Sequence, residues 1–180
     1  YSNFRATGSF EDYLRNNRIS GIQNVDTRSL VLHLRTHGSQ MGVIGAENQS
    51  KSDLVDIAKS LPTMDGLDLA KDVSTKKVYL WNEGVWSLKS GIEPITETES
   101  TQRPHVVAMD FGIKFNILRL LVGHGFRVTV VPADTTAEQI IKLKPDGLFL
   151  SNGPGDPAAV SYAIETVRML LGKMPIFGIC

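Results

Sequence analysis

Apolar and polar positions change their spacing about halfway along the 180-residue chain. In the first half, apolar residues recur at helical spacing in short stretches that follow residues typical of helix N-caps. We predict helices from Ser9 to Asn16, from Asp26 to Thr36 and from Ser52 to Ser60. Two further stretches, Ile19 to Val25 and Gln40 to Ala46, are predicted to be strands.

A hairpin is predicted from Lys77 to Lys89. Apolar side chains flank a turn at 82–84 on both sides, as in two short antiparallel strands. The hairpin carries both tryptophans, Trp81 and Trp86. Aromatic side chains at such positions either pack in the core or mark a partner surface when they are exposed.

The chain between Gly91 and Arg103 has the composition of a linker. Glu, Thr, Ser and Pro replace most apolar residues there. We therefore predict an N-terminal domain at 1–102, which includes the linker 91–102, and a second domain at 103–180.

After the linker, nearly continuous apolar strands alternate with amphipathic helices. Such strands are expected where both faces of a sheet are covered, and the alternation is typical of a doubly wound parallel sheet. The fold class is α/β, with an N-terminal α/β domain before that sheet. The predicted strands are 105–109, 127–131, 147–150 and 175–179, and the predicted helices are 113–122, 136–143 and 160–171.

Composition excludes several classes of function. The formal net charge is zero, so no electrostatic surface for nucleic acid or an anionic membrane is expected. No apolar run approaches the length that spans a bilayer. Cys, His and carboxylate residues do not cluster at metal-ligand spacing, so we predict no metal site.

The candidate chemistry lies at the carboxyl ends of two predicted parallel strands, which share one edge of the sheet. Gly153 and Gly155 leave their N–H groups unshielded, and Pro154 restricts the loop between them. Cys180, the only cysteine, follows the next strand. A lone cysteine is usually a buried core residue, but a thiol beside such amides is the arrangement of a cysteine acyl-transfer site. We predict that Cys180 is the nucleophile, and that Asp156 caps the following helix.

These motifs resemble those of a known family. SNGPGDP at Ser151 to Pro157 and FGIC at Phe177 to Cys180 resemble the class I glutamine amidotransferases, which implies the first half of a flavodoxin-like doubly wound sheet. Other stretches resemble the small, glutamine-hydrolysing chain of carbamoyl-phosphate synthase. They are YSNFR at Tyr1, VDTR at Val25, DGLDLAKDVS at Asp65 and DFGIKFNILR at Asp110.

The resemblance implies how glutamine would be bound and cleaved. The Cys180 thiolate would attack the side-chain amide, and Gly153 and Gly155 would contact glutamine; which of their amides serves the oxyanion stays open. The family's base, a His, and the Glu that orients it lie far downstream of the cysteine. We assign no catalytic role to the four histidines of this chain, which are His33, His37, His105 and His124.

The resemblance also implies partners and a setting. The family's large chain binds ATP and Mg, receives ammonia and makes carbamoyl phosphate for arginine and pyrimidine biosynthesis, so no cofactor is expected in this chain. The N-terminal domain is expected to contribute to docking on the large chain. The expected compartment is the cytoplasm, or the plastid stroma in a plant.

Two other interpretations stay open. The chain can be another class I amidotransferase, although those usually lack a domain before the first strand of the sheet. It can also be a non-catalytic docking module with this fold. The non-Met start and the uncovered last strand further indicate a fragment truncated at both ends. Without the downstream base, such a fragment is expected to be inactive alone.

Overall fold

In the computed structural model, which describes residues 3–46, 48–96 and 102–180, the chain divides into two units, Tyr1–Thr63 and Met64–Cys180. Three capped helices form the regular structure of the first unit. They are α1, Phe10–Asn16; α2, Thr27–His37; and α3, Lys51–Ser60. In each, a Ser or Asp side chain before the helix accepts a hydrogen bond from the N–H three residues on, which satisfies a backbone donor. All three predicted helices are confirmed, with Ser50 as the cap of the third.

Both strands predicted in the first unit are wrong. Residues 19–25 and 40–46 contain no strand. Asn24 has a φ of 60°, which breaks an extended path, and Gly42 and Gly45 lower the strand tendency of the second stretch. An apolar stretch becomes a strand only where a neighbour pairs with it, and the three helices of this unit contain no buried residue.

The second unit is built on a five-stranded sheet with the order β1–β3–β2–β4–β5. The four strands predicted after the linker are confirmed and run parallel, whereas β1 pairs antiparallel with β3 at one edge. The strands are β1, Tyr79–Trp81; β2, His105–Asp110; β3, Arg127–Pro132; β4, Gly147–Leu150; and β5, Ile176–Gly178. The helices are α4, Ala70–Val73; α5, Phe115–Gly123; α6, Ala137–Lys142; and α7, Ser161–Leu170, with a 3₁₀ turn at Pro157–Ala159. The α/β class with a mainly parallel sheet is confirmed.

Apolar side chains fill both faces of this sheet. All six residues of β2 are buried, and successive residues point to opposite faces. On one face Val107 and Met109 pack with Ile140 of α6 and Leu170 of α7. On the other face the core residues include Val106, Ala108, Leu118 of α5 and Phe149. Each large apolar side chain buried in this way stabilises the fold by roughly 1.5–3 kcal/mol, which explains why these strands are apolar throughout.

The predicted hairpin at 77–89 has its turn in the wrong place. Its first strand, β1, joins the main sheet, and the chain reverses between Ser87 and Gly91, whose N–H groups donate to each other's carbonyls at 2.8 and 3.0 Å. Gly91 has a φ of 72°, which favours glycine and sets this turn. Trp81 is half-buried, with its ring 5.1 Å from that of Phe115. Trp81 therefore belongs to the packing of this unit.

The start of the predicted linker is also structured. Gly84 N–H donates to the carbonyl of Glu93 at 3.0 Å, and Ile95 packs against the core. The rest of the linker, 97–101, lies outside the described residues. The domain division at residue 102 stays a prediction. No helix in the described ranges is both long and apolar enough to cross a bilayer.

Candidate active site

A cavity of about 370 Å³ lies at the carboxyl ends of β4 and β5. Cys180, Gly153 and Gly155, the three residues predicted from the sequence, all line it together with Ser151. The opposite wall is apolar and comes mainly from α7 and the residue before it, with Val160, Ala163, Ile164 and Val167. The sheet therefore brings the thiol and the glycine loop to one cavity.

Cys180, the last residue of the sequence, is exposed in this structure. It follows β5, where Ile179 N–H donates to the carbonyl of Leu150 at 3.1 Å and fixes the end of the strand beside the glycine loop. Its φ of 85° is rare for a residue with a side chain. Strained backbone of this kind carries the nucleophile at the sharp strand-to-helix turns of hydrolases.

The side chains of Ser151 and Asn152 hold the loop 151–157 to the loop after β2. The Ser151 hydroxyl accepts from Phe111 N–H at 2.9 Å and donates to the Asn152 carbonyl at 2.8 Å. The Asn152 amide donates to the carbonyl of Gly112 at 3.0 Å and accepts from Lys114 N–H at 3.3 Å. Sequence reasoning quoted both residues in the motif but gave them no role. A polar residue directly after a buried strand was the available signal.

Asp110, the last residue of β2, fixes the loop that follows this strand. Its buried carboxylate accepts from the N–H groups of Gly112 and Ile113 at 2.9 and 2.8 Å, and from Thr75 N–H at 2.8 Å. Three backbone donors satisfy this buried charge, which would otherwise be costly. Asp110 therefore acts as a cap that positions the loop.

Asp156 attaches the glycine loop to residues 66–69. Its carboxylate accepts from Ala158 N–H, as predicted for a cap, and from Gly66 N–H, each at 2.9 Å. The N–H groups of Gly66 and then Ala158 lower the pKa of Asp156. The Asp156 N–H donates in turn to the Leu67 carbonyl at 3.0 Å. The segment around Asp65 and Asp68 therefore supports the loop.

Gly153 and Gly155 occupy positions that only glycine fits. A Cβ on Gly153 would lie 2.1 Å from the Phe111 carbonyl oxygen, and a Cβ on Gly155, whose φ is 89°, would lie 2.6 Å from the Leu67 carbonyl oxygen. Their N–H groups donate to no acceptor within the part of the chain that the structure describes. The packing therefore holds two free backbone donors in a rigid loop beside the thiol, and such donors can stabilise an oxyanion.

No histidine lines this cavity. His105 lies at the amino end of β2, where its Nε2 is 2.8 Å from the Thr129 hydroxyl, and His124 ends α5. His33 and His37 stack on each other in the first unit.

Arg168 of α7 does reach the cavity, and sequence reasoning missed it because an exposed helical arginine carries no distinguishing pattern. Among the described residues, no group of three or more His, Cys, Asp or Glu side chains comes together.

Comparisons with known proteins match both halves of the chain. Residues 107–180 match the family described as "Glutamine amidotransferase class-I", and residues 1–44 match "Carbamoyl-phosphate synthase small chain, CPSase domain". The chain is 51% identical, over 179 residues, to the carbamoyl phosphate synthase small chain of Syntrophotalea carbinolica, which covers 99% of this chain and 47% of the relative.

Two further relatives match the chain with similar identity and coverage. The small chain of Vibrio vulnificus is 51% identical over 181 residues, with 99% of this chain and 48% of the relative covered. That of Salmonella typhi is 48% identical over 181 residues, with 99% and 47% covered. The chain therefore spans about half the length of the curated relatives it matches.

Proposed function

Because the chain belongs to the family of carbamoyl phosphate synthase small chains, we propose that it provides the nucleophile and the glutamine-binding loop of a glutamine-hydrolysing synthase subunit. One observation carries this proposal: the Cys180 thiol and the loop that holds the free N–H groups of Gly153 and Gly155 line one cavity. A nucleophile beside fixed backbone donors is what amide cleavage through a thioester requires.

The reaction follows from this arrangement. The Cys180 sulfur, as thiolate, attacks the side-chain amide carbon of glutamine, and the carbonyl oxygen becomes an oxyanion stabilised by the N–H of Gly153 or Gly155. The C–N bond then breaks, and the nitrogen takes up a proton and leaves as ammonia. Water attacks the resulting thioester, glutamate is released and the thiol is restored.

Proton transfer needs a base that the described residues do not place at this cavity. We assign that role to a His, oriented by a Glu, in the half of the family's sequence downstream of Cys180. The rigid loop would still bind glutamine without them. We therefore expect the 180-residue chain alone to release no glutamate at a useful rate, since general base catalysis contributes about 10²–10⁴-fold.

The assembly is part of the proposal. The relatives are small chains by name, so we propose a heterodimer with a large chain that binds ATP and Mg and uses the ammonia to make carbamoyl phosphate for arginine and pyrimidine synthesis, in the cytoplasm. This chain itself would bind no cofactor. The first unit exposes apolar side chains such as Phe4, Phe10 and Ile22, and we propose that part of this surface docks on the large chain.

The test uses the full-length small chain with its large chain and the variant Cys180→Ser. We expect glutamate release and glutamine-dependent carbamoyl phosphate synthesis to fall by at least about 10³-fold, because the nucleophile is lost. Synthesis from ammonium chloride, which bypasses Cys180, should stay within about twofold of wild type.

Sedimentation of the variant with the large chain provides the control, since docking should not depend on the thiol. Glutamine-dependent activity that survives in Cys180→Ser would contradict the assignment of the nucleophile. Wild-type protein that binds the large chain but releases no glutamate would favour a non-catalytic docking module. Ammonia delivery to a different acceptor enzyme would favour another class I amidotransferase.

A further inference from the structure

A second cavity, of about 240 Å³, lies in the same unit at the amino ends of the strands. It is bounded by the end of β1, the start of β3 and the carboxyl end of α5. The first residues of β2 and β3, His105 and Arg127, pair across the sheet, which places this cavity at the rim opposite to Cys180. Nothing in the proposed glutaminase reaction uses it.

Two arginines line this cavity, Arg103 and Arg127. Arg103 donates to the carbonyl of Val122 at 3.0 Å, in the last turn of α5, which leaves most of its N–H groups available. Arg127 forms no ion pair with any carboxylate in the described ranges, and its Nε is buried without an acceptor. Among the residues that the structure describes, no Asp or Glu lines this cavity.

Such an arrangement is costly unless an anion completes it. An arginine that is partly withdrawn from water usually has a carboxylate or phosphate partner, and a buried donor without an acceptor costs about 1–3 kcal/mol. The positive charge also affects its neighbour: burial, and then the charge of Arg127, lower the pKa of His105. The cavity therefore presents a positive potential with unfilled donors.

The other lining residues indicate what kind of ligand the cavity can hold besides an anionic group. Trp81, Ile95 and Phe126 also line the cavity and give it apolar surface. A volume of about 240 Å³ is far larger than a lone inorganic anion needs. We propose that this cavity binds a small organic acid, with its carboxylate on Arg103 and Arg127 and an apolar or aromatic body against Trp81.

The probes are benzoate and inorganic phosphate, titrated by calorimetry into the full-length protein. We expect saturable binding of benzoate, at least fivefold tighter than phosphate because the ring adds apolar contact. We also expect weaker binding as salt rises, because the contacts are ionic. Arg127→Gln and Arg103→Gln should each weaken benzoate binding at least tenfold, since each removes a charge-assisted contact. Arg35→Gln, at an exposed arginine of the first unit, is the matched control and should bind as wild type.

Arg127→Lys tests the proposal if the Gln variant does not fold. It keeps the charge but loses the planar fork and the Nε, so binding should still weaken. The pair Glu97→Gln and Glu99→Gln, at carboxylates between Ile95 and Arg103 in the sequence, should leave benzoate affinity unchanged. Equal binding of benzoate to wild type and Arg127→Gln would overturn the proposal. So would a large gain in affinity on removing the two glutamates, because the chain's own carboxylates would then be the occupants.

Discussion

The carboxyl rim and the amino rim of the sheet differ in where their unsatisfied N–H donors come from, backbone at the first and a side chain at the second. At the carboxyl rim, Ser151, Asn152 and Asp110 all hydrogen-bond to backbone, and the groups left free are the N–H donors of a rigid loop. At the amino rim, two buried side-chain nitrogens have no hydrogen-bond partner among the described residues, Arg127 Nε and His105 Nδ1.

Chain direction explains much of this difference. Helices in such a fold begin near the carboxyl ends of the strands and end near the amino ends, so free N–H groups gather at one rim and free carbonyls at the other. Arg103 illustrates the second case, because it donates to a carbonyl at the end of α5. The comparison teaches that one sheet can offer a donor-rich site for a developing oxyanion and a cationic site for a stable anion.

Of the substitutions considered, Gly153→Ala, at the carboxyl rim, should cause the largest loss of stability and activity. The new Cβ would lie 2.1 Å from the Phe111 carbonyl oxygen, so the loop must move. We expect a loss of about 3 kcal/mol in the free energy of unfolding and about a 100-fold loss of glutaminase activity, as overpacking and displacement of a positioned donor predict.

The matched control for that change is Gly147→Ala, at the amino end of β4. Its Cβ would meet the Pro175 carbonyl oxygen at 3.4 Å, an ordinary contact. Urea unfolding and glutamate release should differ little from wild type there. Equal losses in the two variants would mean that glycine replacement as such, rather than the contact with Phe111, weakens the protein.

Ser151→Ala, also at the carboxyl rim, should have an intermediate effect on the free energy of unfolding. It leaves the Phe111 N–H without an acceptor and the Asn152 carbonyl without a donor, while Ser151 itself is buried. We expect a loss of about 2 kcal/mol in the free energy of unfolding, measured by urea titration. Ser161→Ala, at the exposed first residue of α7, should change the free energy of unfolding by less than about 0.5 kcal/mol. A loss in Ser161→Ala as large as that in Ser151→Ala would contradict this account of the loop.

The smallest predicted effect is on the pH dependence of stability, and His105→Gln tests it. Burial lowers the pKa of His105 in the folded state below the ordinary 6.5. When the pH falls below about 6.5, the unfolded chain therefore takes up a proton that the folded protein does not, and stability decreases. Above that pH both states are neutral and the effect is absent.

Urea unfolding at pH 7.5 and 5.5 measures this difference. The wild type should lose more stability between the two pH values than His105→Gln does. His124→Gln, at an exposed helix end, should follow the wild type. If His105→Gln loses as much stability on acidification as the wild type, the buried imidazole is not the group responsible.

Local signals in the sequence predicted the elements better than they predicted partners. Ser9 and Asp26 cap helices at the predicted starts, because capping involves only neighbouring residues. The prediction of strands at 19–25 and 40–46 was wrong because strand formation depends on pairing with a distant segment. The same reason explains β1: a strand was predicted there as half of a hairpin, but no local feature indicated that β3 would be its partner.

The site divides in the same way. That Cys180, Gly153 and Gly155 line one cavity could be predicted, because the direction of parallel strands fixes which loops meet. The sequence could not show that the carbonyl groups of Phe111 and Leu67 exclude any residue but glycine at these positions. That constraint depends on close approach between segments far apart in the sequence. The buried face of α5 likewise depends on the sheet beneath it: Leu118 and Val122 are buried, whereas the apolar Leu120 is 44% exposed.

The position of β1 has a consequence for synthesis of the chain on the ribosome. Tyr79 pairs with Val130, about fifty residues later in the sequence. At a translation rate of about 5–20 residues per second, the first strand to emerge waits about 3–10 s for its neighbour to be made. During that interval Leu80 and Trp81 have no sheet edge to join, which makes this segment a natural place for a chaperone to hold the nascent chain.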